Sequence, residues 1–477
     1  MSFLGLAPSS SIALVDAATT ERLTYAELAR QGRTIGATLG VDKQVVFLVA
    51  RNDAFSTTAY WGALDAGHAV ALLDGHAALE TVATLVDAYR PTWVAGPIGL
   101  AGRLAALGTE LEATTELLGG ELIRTTVASR RDIHADLGLM LTTSGTTGSR
   151  KLVRLSVGNV EANAASIAES LALTPADRAL AMLPFHYSFG LSVVNSHLLA
   201  GATLVLTNDG VLQRGLWETF DNEACTSLAG VPYTYQMLER VGFRQMELPA
   251  LRVLQQAGGA LDRRLTSLYR DHMAQRGGRF FVMYGQTEAT ARIAIVPPGR
   301  LVDKLGSAGV PVPGGRLRIV QDSDAEAAPA RSQAAGEVVY EGPNVMLGYA
   351  SAADDLARGD ELRGVLRTGD IGYLDDEGFL FLVGRSRRIA KVFGHRLNLD
   401  EVEAMVRESG PAAVIGGPDA IWAFCAFGTP AEIEDVRQAV AARLRVHRAG
   451  LRFRHVDAIP TTDSGKTDYR RVQEWVE

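Results

Sequence analysis

Leu141 to Arg154 reads LTTSGTTGSRKLVR, and the chain is best read outward from this stretch. Apolar residues run into Thr142, Thr143, Ser144, Gly145, Thr146, Thr147 and Gly148, and Lys151 follows. Small hydroxyl residues and glycines let backbone N–H and side-chain O–H groups converge on an anion. A lysine just beyond can neutralise phosphate charge. A Ser/Thr/Gly linker would share this composition, but a linker has no reason to lie between a strand-like run and a helix, or to end in lysine. The segment is therefore predicted to bind phosphate. It is not a P-loop, because the G-x-x-x-x-G-K-[ST] spacing does not fit. Pro460–Thr467 (PTTDSGKT) comes close, but proline stands at the first glycine and only ten residues follow Thr467.

Upstream, Thr24 and Glu27 have capping-box spacing and open a helix. Residues 44–50 (QVVFLVA) and 69–74 (AVALLD) read as buried strands. Downstream, a helical pattern covers 159–173, and strand-like runs recur at 203–207, 226–232, 251–259 and 280–285. This alternation predicts α/β architecture with largely parallel sheets. After about residue 307 short strands with glycine-rich turns take over, and Asp375-Asp376-Glu377-Gly378 signals a hairpin. The biased run 322–335 is predicted as a loop. Beyond Arg385 a small α+β unit is expected, with helices from Leu399 and Glu432, an apolar stretch at 412–415 and a last strand from Leu451. The predicted organisation is a large domain over 1–384, built of α/β subdomains plus a β-rich one, and a small mobile C-terminal domain over 385–477.

Composition narrows the function classes. The chain has 477 residues, 47% hydrophobic and 21% charged, which describes a globular protein of roughly three structural units. With 47 basic and 54 acidic side chains the formal charge is −7, which disfavours nucleic acid as a partner. Two cysteines give no disulfide framework. No apolar run approaches the ~18 residues of a membrane span, and the N-terminus lacks a cationic signal region. A cytoplasmic location is expected. The 49 glycines exceed the usual share of about 7% and predict many sites where backbone approaches something closely.

Several segments together resemble the adenylate-forming superfamily of acyl-CoA synthetases, peptide-synthetase adenylation domains and firefly-type luciferases. The loop around Thr143–Lys151 resembles its phosphate signature, and Tyr284-Gly285-Gln286-Thr287-Glu288 its Y-G-x-T-E motif. Thr368-Gly369-Asp370 resembles its T-G-D motif. Gly384-Arg385 with Lys391 and Gly394 resembles its hinge, and Pro460 with Ser464-Gly465-Lys466 its C-terminal lysine motif. The likeness covers about residues 20 to 470. It implies an enzyme that joins a small-molecule carboxylic acid to ATP, giving an acyl-AMP and pyrophosphate. The acyl group then passes to an acceptor: coenzyme A, a carrier protein or an amino acid.

The resemblance also implies roles. Glu288 would hold Mg²⁺, and Thr287 would contact the α-phosphate. Thr143, Ser144, Gly145, Thr146, Thr147, Gly148 and Lys151 would cradle phosphates. Gly258, Gly259, Ala260 and Tyr284 would frame the adenine, and Gly285, also in the ATP site, would shape the approach to Glu288. Asp370 would accept the ribose hydroxyls with its two oxygens, and Arg385 would reach the same region. Lys466 would stabilise charge developing during adenylation, and Arg387 would stand at the hinge of a domain rotation. His186 and Tyr233 are candidates for the acid pocket. The segments 185–188, 230–234 and 258–261 contain few cations, so a mainly apolar, uncharged acyl part is expected. Departures from the family pattern are Arg150-Lys151-Leu152 where Pro-Lys-Gly is usual, and Arg387 where Asp or Lys is usual. Two alternatives compete. One is an amide-forming ligase of the coronafacate-ligase type, using the same acyl-AMP. The other is a serine hydrolase around His186-Tyr187-Ser188-Phe189-Gly190, which has His where the elbow glycine belongs.

Overall fold

A computed structural model describes residues 3–126, 132–142, 151–321, 335–385, 388–392, 395–417, 420–444, 446–462 and 466–476. The chain divides into two compact units. One comprises 1–305, 311–316 and 341–366, and the other 306–310, 317–340 and 367–477.

The first unit is α/β with two sheets. In one, Leu137–Thr142, Ala69–Asp74, Val45–Ala50 and Trp93–Pro97 lie side by side and parallel. Each is almost wholly buried, and Val45–Ala50 (VVFLVA) is buried at every position. Such continuous apolar runs are what an interior parallel strand needs when both faces are covered. Antiparallel strands complete this sheet: Leu152–Ser156 and Gly348–Ala350 on one side, Gly120–Thr125 and Leu111–Leu117 on the other. In the second sheet Arg279–Tyr284, Val253–Gln256, Ser227–Gly230, Arg178–Ala181, Thr203–Leu206 and Ile12–Asp16 run parallel in that order. Ala294–Val296 and Arg22–Thr24 flank it antiparallel.

The predicted capping box is present. Thr24 Oγ1 accepts from the Glu27 N–H at 3.2 Å, and Glu27 returns a carboxylate oxygen to the Thr24 N–H at 2.8 Å. The helix Tyr25–Leu39 then buries Tyr25, Leu28, Ala29, Gly32, Ile35, Gly36 and Leu39, a spacing of three and four. The expectation that the Ser/Thr/Gly run leads into a helix is corrected. Leu137–Thr142 and Leu152–Ser156 pair antiparallel, so residues 143–151 connect two strands. The helix starts only at Val157, after Ser156 and Asn159 cap each other reciprocally. Leu152 to Leu155 are all buried, so pairing with the sheet wins over extending the helix backwards.

In the second unit, Arg316–Val320, Gly336–Glu341, Val365–Leu374 and Leu380–Arg385 form a four-stranded sheet. Its last two strands meet at the expected hairpin, where the Gly378 N–H donates to the Asp375 carbonyl at 2.9 Å. Of the predicted loop 322–335, residues 322–334 lie outside the described residues. The C-terminal portion is α+β as expected. Ala412–Gly416, Ile421–Cys425 and Leu451–His455 form a sheet covered by helices Leu399–Arg407 and Pro430–Leu444. The 384/385 boundary falls inside this unit, at the end of Leu380–Arg385.

The capping box carries a measurable share of the first unit's stability. Thr24→Ala is expected to lower the free energy of unfolding by about 1 kcal/mol, with Thr24→Ser close to wild type, in denaturant titrations.

Candidate active site

The first unit gathers several of the singled-out residues around the end of strand Arg279–Tyr284. Gly285 follows the strand, and a Cβ there would lie 1.7 Å from the Ala291 carbonyl oxygen, so no other residue fits this return of the chain. Thr287–Ala289 forms a single 3-10 turn, and Thr290, β-branched, is held at φ 62°. The strained return is clamped by Asn344, whose Nδ2 donates to the carbonyls of Ala289 and Arg292, each at 2.9 Å. Thr287 is buried, and its hydroxyl lies 3.2 Å from Ser188 Oγ. Glu288 is half-buried and accepts the Tyr349 hydroxyl on Oε1 at 2.8 Å.

Tyr349 also receives Lys151, whose Nζ sits 3.4 Å from the centre of the tyrosine ring. Lys151 and Glu288, far apart in sequence, thus share one aromatic side chain. Its backbone is fixed from below: Gly348–Ala350 pairs with Leu152–Arg154, and Arg154, 0% exposed, donates Nε to the Tyr349 carbonyl at 3.2 Å. The Arg154 guanidinium is satisfied further by Glu361 at 2.9 Å and by the Arg358 and Gly359 carbonyls. Thr143, Ser144, Gly145, Thr146, Thr147 and Gly148 lie outside the described residues.

The proposed acid-pocket segments converge. Gly258 has φ +84°, and a Cβ on it would stand 2.7 Å from the Tyr187 hydroxyl and 3.0 Å from Val231. Gly259 lies against Pro232, and the Gln256 amide donates to the Gly259 carbonyl at 2.8 Å. Ala260 follows in the same turn. Tyr233, on the first turn of helix Pro232–Arg240, is 43% exposed. His186 is half-buried, with Nδ1 3.7 Å from Asp74. Behind Ser188 a cavity of about 10 Å³, bordered by Asn163, Asn195 and Thr290, has room for one water and not for an acid.

In the second unit Asp370 is buried, and its N–H donates to the Thr368 hydroxyl at 3.1 Å. It pairs in register with Arg385 across the hairpin. Lys466 closes a tight hairpin: its N–H donates to Thr462 Oγ1 at 3.3 Å, its carbonyl accepts the Thr462 N–H at 2.8 Å, and Thr461 bridges Thr467. Arg387, Gly394, Ser464 and Gly465 lie outside the described residues.

A buried ionic network, which the sequence did not announce, ties this hairpin to helix Leu399–Arg407. Glu403 is 4% exposed and accepts from Tyr469 at 2.6 Å and from the Val414 N–H at 2.9 Å. It pairs with Arg388 at 3.0 Å and Arg407 at 2.7 Å. Arg407 also donates to Thr467 at 3.0 Å, and the Arg388 guanidinium stacks 3.9 Å from the Tyr469 ring centre. Burial opposes the charge on Arg388, yet Glu403, Tyr469 and Asp400 hold its pKa above the usual value. Burial, reinforced by Glu403, raises the Tyr469 hydroxyl.

Among the described residues no three His, Cys, Asp or Glu side chains cluster as a metal site, and no helix is long and apolar enough to cross a membrane. Residues 7–350 match the AMP-binding enzyme family. The chain belongs to that family. The family segment contains Lys151, Thr287, Glu288 and Tyr349 of the cluster just described. Among its relatives, the 2-succinylbenzoate–CoA ligase of Bacillus velezensis is 30% identical over 348 residues, covering 71% of this chain and 69% of the relative. A feruloyl-CoA synthase of Amycolatopsis is 30% identical over 344 residues, covering 69% and 68%. The fold of the AMP-binding enzyme is that of the O-succinylbenzoate coenzyme A synthetase of Bacillus subtilis in complex with AMP. The TM-score is 0.76 at 23% identity, over 98% of this chain and 97% of that one. These relatives are named as CoA ligases, so the amide-forming alternative is not favoured. The family membership also displaces the hydrolase alternative.

Removing Glu403 takes one carboxylate from the half-buried Arg388 and from the exposed Arg407, and takes the acceptor from the Tyr469 hydroxyl. Glu403→Ala is expected to destabilise the second unit by about 3 kcal/mol or more, read as an earlier unfolding transition by calorimetry.

Proposed function

We propose that this chain is an ATP-dependent carboxylic acid–CoA ligase that works through an acyl-adenylate. In the first half-reaction a carboxylate oxygen attacks the α-phosphorus of ATP, and the bond to pyrophosphate breaks. In the second, the CoA sulfur attacks the acyl carbon, the bond to AMP breaks, and the thiol proton leaves to solvent. The observation that carries this reading is the Lys151–Tyr349–Glu288 contact beside Thr287. It sets a cation and a carboxylate on one rigid ring at the end of a parallel strand, where open α/β sheets bind ligands.

The residues fit ATP with Mg²⁺. Glu288 offers a half-exposed carboxylate, a hard oxygen donor. A single protein carboxylate suits a cation that completes its shell with phosphate oxygens and waters. Bound there, Mg²⁺ would neutralise phosphate charge. Lys151 and the loop Thr143–Gly148 would bind the phosphates, with Thr287 at the α-phosphate. Gly258, Gly259, Ala260 and Tyr284 would frame adenine, and Gly285 would shape the approach to Glu288. Asp370 would accept the ribose hydroxyls beside Arg385, and Lys466 would meet the charge that develops during adenylation. A small domain over 385–477 would turn about Arg387 between the two half-reactions. His186 and Tyr233 remain the proposed edge of the acid pocket. The relatives named above support a small organic acid and CoA as partners, and we place the enzyme in the cytoplasm.

Incubation with ATP, Mg²⁺, CoA and a panel of carboxylic acids is expected to release pyrophosphate and AMP, with mass spectrometry showing the acyl-CoA thioester. ATP turnover to ADP and phosphate, or an adenylate that passes only to amines, would contradict the assignment.

A further inference from the structure

Among the described residues of the first unit, Arg292 stands apart from the other cations. It is 2% exposed, and no carboxylate pairs with it among the described residues. Its one side-chain hydrogen bond runs from Nε to the sulfur of Met283 at 3.4 Å, a weak acceptor. Its guanidinium carbon lies over the Phe189 ring, 4.0 Å from the centroid, and Nη2 is buried with no partner. Among the described residues the phenol of Tyr187, whose hydroxyl abuts Gly258, is the titratable group that acts on it. Burial lowers the arginine's pKa to about 9, which still leaves a cation at neutral pH, and burial raises the Tyr187 phenol, which stays neutral. Arg154, buried to a similar degree, shows what a structural arginine looks like here: its donors go to three carbonyls and to Glu361.

A buried cation without a counter-ion is costly to keep, and replacement by an apolar side chain of similar volume is commonly neutral or stabilising. The planar fork of arginine suits a carboxylate held by two parallel hydrogen bonds. Position adds the rest. Glu288 and Tyr284 are half-exposed at the strand end, whereas Arg292 is buried beside Met283 and Phe189. An acid whose reacting carboxylate meets the nucleotide near Glu288 must extend inward for any group on it to reach Arg292.

We propose that Arg292 recognises a second anionic group, a carboxylate, on the acid substrate, so that the enzyme activates one carboxylate of a dicarboxylic acid and holds the other. The proposal rests on the adenylation reading and replaces the expectation of an uncharged acyl part. That expectation drew on 185–188, 230–234 and 258–261, none of which contains this residue.

The test pairs glutarate, adipate and homophthalate each with its monoamide, which keeps size and removes one charge. Pyrophosphate release by the wild type is expected to favour at least one diacid over its monoamide by about 100-fold in kcat/KM. In Arg292→Met the diacid KM rises and that preference collapses to within about threefold, with Arg292→Lys in between. The diacid raises the unfolding midpoint of the wild type but not of Arg292→Met, and the midpoint of the unliganded variant is no lower than that of the wild type. Pyrophosphate release with no diacid preferred overturns the assignment of Arg292 alone. So does a variant that keeps the preference or unfolds several degrees earlier. Release with no acid at all overturns the adenylation reading as well.

Discussion

The pairing of Gly348–Ala350 with Leu152–Arg154 is the constraint on which the proposed chemistry depends. It adds the last strand to one sheet of the first unit, and the buried Arg154 locks it by binding the Tyr349 carbonyl. Tyr349 then projects toward the segment that leaves the other sheet at Tyr284, where its hydroxyl meets Glu288. Lys151, one residue before Leu152–Ser156, reaches the same ring. A single aromatic side chain therefore fixes the spacing between a cation carried by one sheet and a carboxylate carried by the other. A site that must hold negatively charged phosphates needs both signs at defined separation, and preorganised charge is the largest contribution a protein makes to such reactions.

The second unit uses charge differently. Glu403, Arg388, Arg407 and Tyr469 satisfy one another inside the unit and tie down the hairpin that carries Lys466. A lysine on a long flexible stem loses much rotamer freedom when it is placed, so a rigid base beneath it is worth a buried ionic cluster. The contrast with Arg292 is instructive. Glu403 is buried with its charge answered, whereas the guanidinium of Arg292 is buried with no oxygen acceptor among the described residues. Buried and paired reads as architecture, and buried and unpaired as a site prepared for something that binds.

Much of this was legible in the sequence, and the illegible part has a common cause. Continuous apolar runs such as Val45–Ala50 and Ala69–Asp74 announced interior strands, and Thr24 with Glu27 announced a cap, because those signals are local. Gly285 and Gly258 were legible as backbone sites, and each proves intolerant of a side chain. The strand Leu152–Ser156, lying between the Ser/Thr/Gly run and the expected helix, went unread because its pairing with Leu137–Thr142 and with Gly348–Ala350, nearly two hundred residues on, is tertiary. Arg292 and Glu403 sit in no motif, and nothing local marks the parts that Tyr349 and Arg154 play. Their importance comes from what tertiary folding places against them: a ring under a lysine, a carbonyl beside a guanidinium, or no oxygen at all. No spacing rule along one chain encodes those meetings.

A double-mutant cycle on Tyr349 and Glu288, read in acid-dependent exchange of pyrophosphate into ATP, tests whether the shared ring sets the site. Tyr349→Phe keeps the ring beneath Lys151 and deletes only the hydroxyl that binds Glu288. Tyr349→Phe is expected to slow exchange by about tenfold, and adding it to Glu288→Gln to cost little more, a coupling of about 1 kcal/mol. Exchange unchanged in Tyr349→Phe, or losses that simply multiply in the double variant, would contradict it.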